Sequence, residues 1–157
     1  MAAEFLLDLS SIDLDGAVVS QEVLDQHLRQ TGDMRHLDRV IWLNDDITSG
    51  VGVKLTRPDE FWVPGHIPGR PIFPGVLMIE AAAQLCSFIH TYSGRATGFL
   101  GFTRCEEVVF RGQVPPGSKF FIVAKAIELN RRRFISATQG ILDGKLVFEA
   151  RITGMNL

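Results

Sequence analysis

Gly65 to Tyr92 reads GHIPGRPIFPGVLMIEAAAQLCSFIHTY. Its first half is punctuated by Pro68, Gly69, Pro71, Pro74 and Gly75. Prolines fix φ and remove donors, so this loop is stiff rather than loose. Pro74-Gly75 opens a helix, with Pro in its favoured first-turn setting. From Val76 to Tyr92 the chain is apolar on nearly all sides, and Ala81-Ala82-Ala83 favours helix. A helix apolar all round is buried all round. Ser93-Gly94 is an ordinary helix stop.

Something must surround that helix, and the flanks supply strands. Upstream, Asp38–Leu43 carries Val40, Ile41 and Trp42, and Asn44-Asp45-Asp46 is turn chemistry. Ser49–Leu55 alternates, with Val51, Val53 and Leu55 on one side and Gly50, Gly52 and Lys54 on the other. The two segments predict a hairpin. Downstream, Phe99–Phe102 and Glu106–Arg111 read as two strands, Lys119–Leu129 as a third, and Arg131–Leu142 and Lys145–Thr153 as a pair joined by Asp143-Gly144. In the last, Leu146, Phe148, Ala150 and Ile152 alternate with Lys145, Val147, Glu149 and Arg151, which predicts one core face and one wet face. Ser20–Gln30 predicts a short helix capped by Ser20, and residues 1–20 an extended arm or short strand. The expectation is α+β: one central helix enclosed by an antiparallel sheet of five or six strands. Residues 1–157 read as a single domain, with 1–30 as an N-terminal extension.

Composition removes several classes of function. With 157 residues, 46% of them hydrophobic and 22% charged, the chain can bury a core and is not disordered. Sixteen Lys+Arg against eighteen Asp+Glu give a net charge of −2, without the basic excess of a nucleic-acid binder. Cys86 and Cys105 form neither a disulfide framework nor a CxxC pair, which favours a reducing, cytoplasmic setting. The N-terminus lacks a basic n-region and a long apolar run, and the Ile72–Ile89 stretch contains Pro74, Glu80 and Gln84, so no membrane span is expected. No His/Cys/Asp spacing suggests a metal, no phosphate loop appears, and Ser87 and Ser93 have no evident base. No cofactor is expected.

The chemistry-bearing residues lie in the first stretch. His66 sits on the stiff loop, where its imidazole can be held in place and accept a proton. The free amides of Gly75 and Val76 at the helix start can receive a developing negative charge. Glu80 is an acid in an apolar helix face, where desolvation favours a carboxyl that keeps its proton until it donates it. Glu80 lies five residues after Gly75, roughly 7.5 Å along the axis, and its side chain tilts back toward the helix start. Base, oxyanion donors and acid together suit proton abstraction beside a carbonyl and loss of a β-leaving group. Spacing does not decide whether His66 and Glu80 of one chain meet.

The run His66–Gln84 (HIPGRPIFPGVLMIEAAAQ) resembles the signature of the 3-hydroxyacyl-acyl carrier protein dehydratases of bacterial fatty acid synthesis. Phe110–Gly117 (FRGQVPPG) is similar to that family's aromatic-basic segment ending in Pro-Gly, and Asp38-Arg39-Val40 to its early Asp-Arg-Val. The resemblance implies a hotdog fold, an antiparallel sheet wrapped round a long central helix. It implies a lyase that converts (3R)-3-hydroxyacyl-acyl carrier protein to the trans-2-enoyl thioester. His66 is then the catalytic base, Glu80 the acid, and the Gly75 amide, with Val76, the holder of the thioester oxygen. The family assembles each site from two subunits of a homodimer, which a trimer of dimers extends to a hexamer. Glu rather than Asp at position 80 points to the branch that does not isomerise the double bond. The chain departs from the family at Ile67, where an aromatic is usual, and at Asp33–Leu37, where an aromatic-Pro-Phe segment is usual.

Other residues carry lesser expectations. Phe61, Trp62, Ile67 and Phe73 flank the loop and are candidates to line an acyl tunnel, or plain core. Arg111, Lys119, Arg131, Arg132 and Arg133 are candidates to dock an acidic acyl carrier protein; the bland reading of the three arginines is a solvated strand end. Gln84, one turn after Glu80, is read as an orienter or core amide. Two rival functions fit the same fold: a hotdog acyl thioesterase, and a non-catalytic acyl-binding protein. The His66/Glu80 pair argues against both.

Overall fold

The computed structural model describes residues 4–96 and 98–157. Its elements run α1 (Gln21–His27), a 3-10 turn (Gly32–Met34), β1 (Arg39–Leu43), β2 (Ser49–Leu55), α2 (Gly75–Tyr92), β3 (Leu100–Phe110), β4 (Lys119–Leu129), β5 (Arg133–Leu142) and β6 (Lys145–Asn156). The strands form a six-stranded sheet in the order β1-β2-β4-β5-β6-β3, every pair antiparallel. Helix α2 packs across the inner face, touching β2 through β6. Its Ala81, Ala82, Leu85 and Phe88 are fully enclosed with Phe73, Phe120, Phe148 and Ile152. Each such large side chain contributes about 1.5–3 kcal/mol of burial. This is the hotdog arrangement.

The alternation in β2 is as expected, but its faces carry different roles from those the residue types suggest. Gly50, Gly52 and Lys54 face the helix. A Cβ on Gly52 would lie 2.4 Å from a Leu37 methyl and 3.4 Å from one of Leu85, so the helix approaches the sheet where side chains are missing. Val51 and Val53 face outward into a second apolar layer with Ile41, Phe121, Val123 and Ile141. Leu6, Leu7, Leu9, Ile12 and Leu14 of the N-terminal arm cover that layer. Among the described residues the arm forms no strand of its own. The Gln139 side chain ties it down, accepting from Leu6 N at 2.8 Å and donating to Glu4 O at 2.8 Å.

Three boundaries differ from expectation. The two expected strands, Phe99–Phe102 and Glu106–Arg111, merge into one, β3, which runs only from Leu100 to Phe110 and is interrupted by irregularities between Phe102 and Arg104 and between Glu106 and Val109. In β6 the pairing jumps from Gly140↔Phe148 to Ile141↔Leu146, so Val147 is an extra residue. A bulge reverses which side the following residues take. Val147 therefore joins the inner core and Leu146 the outer layer, against the simple alternation. Helix α1 ends at His27 rather than Gln30, with Ser20 capping it through Val23 N at 3.2 Å.

Candidate active site

The loop before α2 is built to hold His66. Its backbone N donates to Trp62 O at 2.8 Å, and Arg70 N closes the next turn onto Ile67 O at 2.9 Å. Phe73, 1% exposed, ends the loop, with its N donating to Val114 O at 2.7 Å. His66 Nδ1 lies 2.7 Å from Ile72 O. A carbonyl only accepts, so Nδ1 carries the proton and the neutral ring keeps its lone pair on Nε2. The half-buried imidazole is thus fixed in the tautomer that a general base requires. The next residue, Ile67, is held at φ +62°, a region that β-branched residues avoid.

Pro74 is the N-cap of α2, and its carbonyl accepts from Leu77 N and Met78 N. The amides of Gly75 and Val76 come before any intrahelical acceptor. Val76 is 72% exposed, so this helix start faces outward. Phe110 lies on the same spot: a Cβ on Gly75 would be 2.8 Å from its ring.

Glu80 is half-buried and opens onto a cavity of about 200 Å³, not onto a sealed apolar face as the sequence pattern suggested. Its Oε1 accepts from Gln84 Nε2 at 2.9 Å. Gln84, 1% exposed, has its own orientation dictated by backbone groups: Oε1 accepts from His36 N at 2.8 Å, and Nε2 donates to Met34 O at 2.6 Å. A flipped amide would oppose both contacts, so the amide nitrogen must face Glu80. The cavity walls include Gln30, Ser87, Phe99 and Leu100, which also border a neighbouring cavity of about 400 Å³. Together they make a groove along one face of α2, from Glu80 past Ala83 and Ser87 to Thr91. His66 does not line either cavity.

The remaining candidates are dispersed. Trp62 and Phe73 are core, at 4% and 1% exposure, while Phe61 and Ile67 are exposed. None of the four lines the Glu80 groove. The residues that do, Gln30, Ala83, Ser87, Thr91, Phe99 and Leu100, were not singled out as lining; their one signal is the spacing of Ala83, Ser87 and Thr91 on the helix face of Glu80. The basic residues do not make one patch. Arg111 and Lys119 lie at the end of the sheet where α2 begins, paired with Glu149 and Asp15 at 2.5 Å each. Arg131 and Arg132 lie in the β4–β5 turn, at the other end of the 11-residue β4, and Arg133, the first residue of β5, pairs with Glu128 at 2.9 Å. Among the described residues no group of three His, Cys, Asp or Glu comes together, and no helix is long and apolar enough to cross a membrane.

The chain is similar in sequence and in fold to several known proteins. A 3-hydroxyacyl-[acyl-carrier-protein] dehydratase FabZ of Rhodopseudomonas palustris (strain HaA2) is 37% identical over 125 residues, 76% of this chain and 80% of that protein. The FabZ of Methylobacterium radiotolerans is 35% identical over 125 residues, 76% of this chain and 77% of that protein. Among solved structures, the dehydratase heterocomplex ApeI:P from Xenorhabdus doucetiae superposes with a TM-score of 0.72 at 15% identity, over 85% of this chain and 90% of that one. Cj0977, a sigma28-regulated virulence protein from Campylobacter jejuni, superposes with a TM-score of 0.64 at 12% identity, over 87% and 88%. These superpositions speak to the fold alone. The pattern of the FabA-like domain matches residues 28–151, which hold the stiff histidine loop, the helix start, the acid and all of the sheet but the end of β6, and the chain belongs to the FabA-like domain family.

Proposed function

We infer that the chain is a hydro-lyase of fatty acid synthesis that converts (3R)-3-hydroxyacyl-acyl carrier protein to the trans-2-enoyl thioester. The observation that carries this reading is His66: Ile72 O holds its Nδ1 proton and leaves Nε2 basic. Nε2 takes a proton from C2 of the substrate. The electron pair forms the C2–C3 double bond while the C3–O bond breaks. The departing hydroxyl takes the Glu80 proton and leaves as water. Transfer of the C2 proton from His66 back to Glu80, directly or through solvent, resets the site. The amides of Gly75 and Val76 hold the thioester oxygen while it carries enolate charge, in the way preorganised donors stabilise such states. Gln84 turns the Glu80 carboxyl toward the groove.

Each site of this reading takes His66 from one subunit and Glu80 from the other. Two observations support it. The Glu80 cavity is walled by Leu100, Gly101 and Phe102 of β3, an edge strand of the sheet. That edge exposes Phe102, Val108, Val109 and Phe110 alongside the charged Arg104 and Glu107, and the unpaired strand with its apolar side chains invites a second copy. A copy docked along β3 brings its own residues to Glu80. Trimerisation of such dimers, a single domain over residues 1–157 with 1–30 as an extension, and a cytoplasmic site of action belong to the same proposal. The arm's cover over the outer sheet face supports the second, and two free thiols support the third.

The test is to follow formation of the conjugated enoyl thioester from 3-hydroxyacyl thioesters of several chain lengths, on acyl carrier protein and on coenzyme A. Water loss without release of free thiol supports the dehydratase. Thiol release supports the thioesterase, and neither product supports the binding protein.

A further inference from the structure

Lys54 is 1% exposed, among the most deeply buried side chains of the protein. It projects from β2 toward the helix side of the sheet, and its Nζ pairs with Glu60 Oε1. The other Glu60 oxygen accepts from Arg57 N at 2.8 Å, and its carbonyl accepts from Val63 N at 3.1 Å. Lys54 Nζ also lies 5.7 Å from the centre of the Phe73 ring. Glu60 and Phe73 are the entry and the exit of the loop that carries His66. Trp62, two residues after Glu60, accepts the His66 N–H. One lysine therefore holds both ends of the catalytic loop.

A buried ion pair is a poor way to gain stability. Desolvation offsets much of the attraction, and apolar residues of similar volume often serve the fold as well or better. What a charge-assisted contact supplies is direction. This loop needs direction, because Ile67 at φ +62° must be held against its own preference beside His66. We propose that Lys54 and Glu60 are positioning residues that fix the His66 loop for proton abstraction. The proposal rests on the dehydratase reading.

The full-length wild type is compared with Glu60→Gln, which keeps an oxygen for Arg57 N, and with Lys54→Met/Glu60→Leu, which replaces the pair by apolar volume. Melting midpoint, oligomeric state, kcat and KM are measured for water loss from a 3-hydroxyacyl thioester. The expected result is a folded double variant melting no lower than the wild type, with kcat down about 10- to 100-fold, the scale of small misplacements. KM stays within about twofold, since loss in kcat alone marks an interaction needed for the chemical step. Wild-type kcat in either folded variant overturns the proposal. So does a kcat loss confined to variants whose melting midpoint also falls, or failure of both variants to fold, because the pair then serves the fold alone. A wild type that forms no enoyl product instead refutes the dehydratase reading, and is distinguishable from these outcomes.

Discussion

Gln84 Nε2 lies 2.9 Å from Glu80 Oε1, one helical turn away, and is held there by the His36 N–H and the Met34 carbonyl. The acid is thereby aimed by the segment between α1 and β1, not by its own helix alone. Replacing Gln84 by Leu removes the aim and leaves His36 N and Met34 O unpaired. The His36 N–H lies in a fully buried residue, and leaving such a group unpaired costs about 1–3 kcal/mol. The expected Gln84→Leu protein unfolds at lower urea and has a lower kcat. Unchanged turnover would show that Glu80 needs no orienter.

In the proposed reaction His66 and Glu80 each move one proton, and His66→Ala and Glu80→Gln each remove one of these groups. Each is expected to keep its circular dichroism spectrum and lose about 10²-fold or more in turnover, the usual scale for general acid–base groups. Near-normal turnover in either variant removes that residue from the mechanism.

Ile67 sits at φ +62° and is half in solvent. The left-handed conformation costs an L-residue about 1–2 kcal/mol, while glycine adds about 0.5–1 kcal/mol of unfolded-state entropy. Ile67→Gly is therefore expected to raise the unfolding free energy by about 0.5–1 kcal/mol. Urea unfolding measures it, and a destabilised variant would mean that the isoleucine side chain contributes more than its exposure implies.

His36 is fully buried beside Phe61 and Phe73, with both ring nitrogens lacking a protein partner among the described residues. Burial, reinforced by the nearby Lys54 charge, lowers its pKa from 6.5 to about 4, against the opposing pull of Glu60, Asp38 and Asp33. Between those values the unfolded chain binds a proton that the folded chain refuses. Stability from this residue is complete above the unfolded value and is lost as pH falls from 6.5 toward about 4. At 1.36 kcal/mol per unit the loss amounts to roughly 3 kcal/mol. His36→Leu is expected to flatten that part of the stability profile; an identical slope in both proteins would assign the acid sensitivity elsewhere.

Most of α2 and its loop was legible because prolines, glycines and an unbroken apolar run act locally. Pro74-Gly75 fixed the helix start to within a residue. The facing of β2 was not legible, because Val51 and Val53 meet an apolar arm more than 30 residues upstream, which no local pattern reveals. Nor was the reversal at Val147, since a bulge is a property of the pairing with β5 rather than of β6 alone. His66 and Glu80 stand out as candidates by residue type alone. The groove beside Glu80 is made of Ala83, Ser87 and Thr91, whose small size gives space but no chemical signal. Arg111 and Lys119 look alike in sequence with Arg131–Arg133, yet the length of β4 separates them.

The central claim is a dehydration site built from His66 of one subunit and Glu80 of its partner, and subunit exchange between the inactive His66→Ala and Glu80→Gln proteins tests it. In a two-fold dimer the heterodimer then holds one site with both defects and one with none. Random mixing makes half the dimers heterodimers with half their sites intact, so activity should return to about a quarter of wild type. No return of activity, with heterodimers confirmed by mass spectrometry, would contradict the account and put both residues of each site in a single chain.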